Sequence, residues 1–206
     1  MMKRAKNIPL LAACFMLACA LATAQTAAPK QPQPALTVSG QISIGDRFIS
    51  FLIHQLPPSS FPALPRAVQD GLNRRGCMIP QTYEAHRPEN VIHADFEGLG
   101  GEDWATLCAV QGTVSLLVFF DGKAEPAVLA SAPATERLQA HDPSGVLGFN
   151  WGIDPATPKQ ISEAQRGMYP RPAALDHDAL ADTIVEHKTV YHFYAKGAWT
   201  LVKLPD

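Results

Sequence analysis

The chain has 206 residues, 47% hydrophobic and 17% charged, with 17 Lys+Arg against 19 Asp+Glu. That composition excludes a disordered tail, a collagen-like chain and a multi-span membrane protein. Lys3, Arg4 and Lys6 fall in a removable leader, and the other 14 cations against 19 acids leave about −5, the wrong sign for a dedicated nucleic-acid or anionic-membrane binder.

Residues 1–24 read as a signal peptide. A short basic start is followed by the apolar run Ile8 to Ala22, and Ala22-Thr23-Ala24 offers small residues for cleavage before Gln25. The run has 15 residues, short of the roughly 20 a spanning helix needs, so no membrane span is expected after cleavage. Met16-Leu17-Ala18-Cys19 offers a competing lipoprotein route. The Ala-rich leader has a bacterial style, which sends the protein to the periplasm or the medium. Residues 25–35 are rich in Pro, Gln and Ala and read as a flexible tether. Residues 36–206 are expected to form a single α+β domain.

Cys14 and Cys19 leave with the leader. Cys77 and Cys108 remain, an even count in an oxidising compartment, and one disulfide is the default expectation. Closing a 31-residue separation is worth roughly 3.7 kcal/mol in the chain-entropy picture. A catalytic thiol is the alternative, and zinc is disfavoured because there is no CxxC.

Leu36 to Ile44 alternates loosely, and Arg47 to Leu56 is short enough to be strand or helix. Pro65 to Arg75 predicts a helix, with Leu64, Val68 and Leu72 on one stripe and Gly76 as its stop, although Gly71 weakens it. Asn90 to Glu97 alternates, with Ile92, Ala94 and Phe96 opposite His93, Asp95 and Glu97. Gly98 to Gly101 reads as a mobile turn and not as a phosphate cradle, because no helix start follows it. Trp104 to Val110 and Thr113 to Phe120 flank Gln111-Gly112. If that is a tight turn, Cys108 faces Ser115 and Trp104 faces Phe119. Asp121-Gly122 is a two-residue hairpin signal before a strand at 124–130, and Pro126 confines that strand to an edge. Residues 131–145 read as loop with at most a short helix, and Val146 to Trp151 as a strand. Pro158 to Gly167 is a short helix capped by Thr157, and Leu175 to Val185 is another candidate helix. Thr189 to Tyr194 and Ala198 to Leu204 form a hairpin around Ala195-Lys196-Gly197. The fold class is therefore α+β: a mostly antiparallel sheet, meander plus C-terminal hairpin, with two or three short helices on one face.

Gly76-Cys77, Ile79-Pro80-Gln81, Asn90-Val91-Ile92, Phe96, Asp103-Trp104-Ala105 and Leu107-Cys108 form one block, and His177 to Leu180, Lys188 and Tyr191 to Trp199 another. Together they resemble a group of bacterial secreted proteins of no assigned activity, which have a cysteine pair and an aromatic C-terminal hairpin. The resemblance implies one exported domain and a Cys77–Cys108 bridge. It transfers no catalytic residue.

The common nucleophile, nucleotide and metal signatures are absent. The densest polar cluster is Asp176-His177-Asp178. It supports two readings: a cap at the start of a helix over 175–185, or acid–base and metal-ligating groups, with His93 as a further member. His187 and His192 read as surface residues, and His141-Asp142 as a loop pair without a partner. Trp104, Trp151, Tyr191, Tyr194 and Trp199 fall on predicted strands; core packing is their ordinary reading, and a sugar- or peptide-binding face is the alternative. No catalytic residue, cofactor or metal is expected. The leading function is a non-catalytic exported binding module for an unknown protein or envelope ligand. The alternative is a periplasmic hydrolase or metal-dependent enzyme built on Asp176, His177 and Asp178, which requires those side chains to converge in one pocket.

Overall fold

The computed structural model describes residues 36–205. The leader, its cleavage point and the 25–35 tether lie outside the described residues. The chain runs β1 (Leu36–Ile44), β2 (Arg47–Leu56), α1 (Arg66–Arg75), β3 (Ile79–Pro80), β4 (Val91–Ala94), β5 (Asp103–Val110), β6 (Thr113–Phe119) and β7 (Ala127–Pro133). It continues with β8 (Leu138–Ala140), β9 (Leu147–Phe149), β10 (Trp151–Ala156), α2 (Pro158–Ala164), β11 (Ala179–Ile184), β12 (Lys188–Ala195) and β13 (Ala198–Leu201). Among the described residues these strands make three sheets: β1-β2-β9-β8 with β3 also on β2, then β4-β5-β6-β7, and β10-β11-β12-β13. The fold is sheet-rich α+β and mostly antiparallel. The exception is the parallel pairing of β2 with β9. No described helix is long and apolar enough to cross a membrane.

The meander is where local patterning and structure agree best. Gln111 and Gly112 both adopt positive φ, 48° and 82°, as a tight hairpin turn requires. Trp104 then pairs with Phe119 and Cys108 with Ser115, the register expected from that turn. Strand β5 is buried almost throughout, because both faces of its sheet are covered. Ala105, Leu107 and Ala109 join Val114, Leu116, Val118, Phe149, Trp151 and Leu180 in a core fed by all three sheets. Trp104 and Cys108 join Leu117, Phe119 and the α1 residues Val68 and Leu72 on the other side. Cys77 and Cys108 are bonded within this second core.

Helix α1 begins after Pro65 and ends at Gly76 in the left-handed conformation, an ordinary stop. Its Gly71 faces the loop before β7: a Cβ there would lie 2.5 Å from the Ala124 carbonyl oxygen. The glycine that weakens the helix by propensity is what lets the loop approach. Helix α2 carries a full capping box, Thr157 with Gln160, and lays Ile161 against Ala156, Ala179 and Ala181. The two helices thus cover different sheets instead of one face of a single sheet.

Three local expectations are corrected. The 175–185 segment is not a helix: Ala179–Ile184 is strand β11, paired with β10 and β12. Leu180 belongs to the three-sheet core and Ala179 and Ala181 to the α2 side, so a strand buried on both faces shows no alternation. Asp121-Gly122 is not a two-residue hairpin turn but part of a 3-10 turn, and β7 starts only at Ala127. The Asp121 N–H is held by the Asp103 carboxylate at 2.9 Å, which fixes a longer path. Finally, 131–145 contains β8, which pairs with β9.

Candidate functional site

His177 sits between the C-terminal hairpin and the glycine turn. Its Nδ1 is 2.7 Å from Asp176 Oδ1 and its Nε2 is 2.8 Å from the Tyr194 carbonyl oxygen. Its ring stacks on Phe193 at 4.3 Å. Its side chain is 9% exposed, whereas that of Asp176 is 88% exposed. Asp178 turns elsewhere: its N–H donates to the Asp95 carbonyl, and its Oδ2 lies 3.4 Å from the Asp95 N–H. His93 has other partners, 3.0 Å from Glu102 and against the Trp104 ring. None of the described contacts joins the side chain of Asp178 or His93 to the Asp176–His177 pair, and both His177 nitrogens are engaged by the protein itself.

The Gly98–Gly101 turn is organised by acids. Leu99 and Gly100 donate backbone N–H groups to the Asp95 carboxylate at 3.1 and 2.9 Å. Burial pushes the Asp95 carboxyl up, but the N–H groups of Gly100, Leu99 and their neighbours hold it below the ordinary range. Asp103, fully buried, accepts from Phe96, Glu97 and Asp121 N–H groups. Its carboxylate, with those of Glu97 and Asp121, makes a close acidic cluster, whose buried member is satisfied by backbone donors.

His187 is exposed as expected, but His192 is not a surface residue. Its Nε2 lies 3.3 Å from Asp182 Oδ2, both side chains are mostly buried, and Asp182 Oδ1 accepts from Trp151 Nε1 at 2.7 Å. His141 gains a partner, stacking on Tyr83 at 4.5 Å. Tyr83 in turn donates to Glu186, and burial together with that acid raises its hydroxyl to about 12.

The five candidate aromatics are dispersed. Trp104 and Trp151 are buried and offer no face to a ligand. Tyr191 packs on the α2 side. Tyr194 and Trp199 meet at 5.2 Å and enclose Phe120, which ties the last hairpin to the meander.

Two hollows differ sharply in chemistry. One, of about 340 Å³, is acidic, with Glu84, Glu89, Asp154 and Glu186 in its wall. Burial and the charge of Glu89 raise the Asp154 carboxyl. The other, of about 540 Å³, is a mostly apolar cleft between the inward face of β1–β2 and the disulfide-bonded wall. Val38, Phe51 and Ile53 form one side, Met78, Ala109 and Val110 the other. Met78 and Ala109 exchange backbone hydrogen bonds, each next to a bridged cysteine. Gln55 is only 7% exposed and lines this cleft. Arg75 is the one charged lining residue.

Neither Gln55 nor Arg75 stood out in the sequence. The available signal was Ile49, Phe51, Ile53, Gln55: an amide in the apolar position of a two-residue period. No family model, curated protein or solved structure matches this chain.

Proposed function

We propose that this protein is a non-catalytic binding module, exported to the periplasm or beyond, that takes an apolar ligand into the cleft between β1–β2 and the Met78–Ala109 wall. The observation that carries the reading is the cleft itself, about 540 Å³, walled mostly by apolar side chains, with Gln55 and Arg75 among its few polar groups. An apolar hollow with a few polar groups in its wall is the usual build of a small-molecule site, the polar groups fixing the ligand's orientation. The cleft volume lies within the usual range for small-molecule sites, roughly 300–1,000 Å³. The leader pattern and the disulfide support export. The engagement of both His177 nitrogens supports binding over acid–base chemistry at the 176–178 segment.

The test is a titration with N-phenylnaphthylamine, a neutral apolar fluorophore. One saturable site is expected. Thr135→Trp, which fills the cleft from its exposed rim, and Val38→Trp should each abolish it while leaving the melting temperature near wild type. Non-saturating fluorescence, or full binding in both variants, would overturn the reading.

A further inference from the structure

Resting on that binding role, we propose that the natural ligand is a long-chain carboxylate, a single-tailed anionic amphiphile. Its tail lies along Val38, Phe51, Ile53 and Ala109, and its head is held at the rim by Arg75. The charge arrangement singles out this class. The folded chain is acidic and a second hollow has four carboxylates in its wall, yet the apolar cleft has no acid in its wall and one guanidinium. Beside it, Arg74 and Arg75 share a single counter-ion. Arg75 Nη2 is 2.8 Å from Glu125 Oε2 and Arg74 Nη2 is 4.0 Å from Glu125 Oε1. Two cations against one exposed acid leave a surplus positive charge beside the cleft, where a second carboxylate completes the balance. A guanidinium fork is the side chain best matched to a planar carboxylate. A cationic amphiphile meets repulsion at the same place, which gives head-group selectivity as well as affinity. Gln55, in the same wall, offers an amide to an oxygen carried on the chain.

The experiment displaces N-phenylnaphthylamine from the purified protein with hexadecanoate, hexadecanol and hexadecyltrimethylammonium, each below its micellar concentration. Hexadecanoate should compete best, about tenfold better than the alcohol, as expected for one charge-assisted contact at a part-exposed rim. Added salt should erode that preference. Arg75→Gln should weaken hexadecanoate about tenfold, and Lys196→Gln, in the remote β12–β13 turn, should leave it unchanged. Glu125→Gln supplies the decisive sign. If the arginines serve a carboxylate ligand, removing their internal counter-ion should tighten hexadecanoate several-fold. A merely structural ion pair gives no such gain. Equal displacement by all three heads, or no gain in Glu125→Gln, overturns the ligand class while the cleft itself still binds. Failure of the fluorophore to bind at all overturns the cleft and the ligand class together.

Discussion

Asn90 and Ile153 are joined by a buried hydrogen bond, the Ile153 N–H donating to Asn90 Oδ1 at 3.1 Å. The same side chain donates through Nδ2 to the carbonyls of Pro80 at 2.7 Å and Trp151 at 3.2 Å. Its own carbonyl accepts from Leu107 N–H and Thr106 Oγ1. One residue, 2% exposed, thus touches strands of all three sheets. It does so at φ 66°, a left-handed conformation that Asn tolerates better than most residues. Asn90→Ala strands two carbonyls and one N–H in the interior, so a loss of about 3–5 kcal/mol is expected by urea unfolding. Asn90→Gly should lose about 1 kcal/mol less, because the strain at positive φ disappears. Equal losses would show that the backbone conformation carries no cost here.

Gly71 reverses the usual rule for helices. In an exposed helix Gly→Ala gains about 1 kcal/mol. Here the added Cβ would meet the Ala124 carbonyl at 2.5 Å, and the loop before β7 must move. Gly71→Ala should therefore destabilise by about 1–3 kcal/mol, the usual range for overpacking. A stabilised variant in thermal or urea unfolding would mean that the loop shifts at no cost.

What the sequence revealed divides by range. Turn chemistry and short periods were readable: Gln111-Gly112 set the meander register, Thr157 announced α2, and Gly76 closed α1. The C-terminal hairpin was placed correctly, although its turn proved to be the two residues Lys196-Gly197, with Ala195 paired to Ala198. Long-range choices were not readable. The parallel joining of β9 to β2 leaves no local mark. β11 lost its alternation because both faces are covered, so no two-residue period marked the 175–185 stretch as a strand. The cleft was hidden for a related reason. Its walls come from β1, β2, the segment after α1 and the β5–β6 turn, which only the sheet topology brings together.

The disulfide couples stability to the cleft. Both cysteines are buried, and each neighbours a residue of the cleft wall. Cys77→Ser should cost about 2–5 kcal/mol, measured by denaturant unfolding. Fluorophore affinity should fall with it, because Met78 and Ala109 lose their covalent anchor. Unchanged stability in the variant, or two free thiols in the folded, unreduced protein, would contradict the bridge.

Two carboxylates should shift stability with pH in opposite senses. Asp95 is held below its ordinary value, so its contribution is present above the unfolded carboxylate value, near 4, and is lost as pH falls through the lower folded value. Asp95→Asn should be less stable than wild type at pH 7, with the gap closing in strong acid. Asp154 is raised by burial and by Glu89, so it disfavours the fold once pH climbs past its unfolded value. Asp154→Asn should gain stability at pH 7 and gain nothing at pH 3. Unfolding curves at the two pH values check both signs.

The 176–178 segment gives the sharpest reversal. A helix cap there would make Asp176 or Asp178 the costly residue to remove and His177 the cheap one. The bend that precedes β11 inverts that order. Asp176 is exposed and, among the described residues, its side chain bonds the His177 ring alone, so Asp176→Ala should change stability by about 0.5 kcal/mol or less. His177 bridges to the Tyr194 carbonyl, stacks on Phe193 and lies so close to the glycine turn that a Cβ at Gly98 would be 2.7 Å from its Nδ1. Its removal leaves a gap between the C-terminal hairpin and that turn and unpairs a carbonyl. His177→Ala should therefore cost about 2–4 kcal/mol, combining lost packing with one lost hydrogen bond. His177→Phe should recover the stacking part alone, while Gly98→Ala should harm the wild type and be better tolerated beside His177→Ala, because the ring it strikes is gone. That coupling is measured by a double-mutant cycle. If Asp176→Ala proves costlier than His177→Ala, or the cycle is additive, the packing of His177 against the glycine turn is not what holds this corner together.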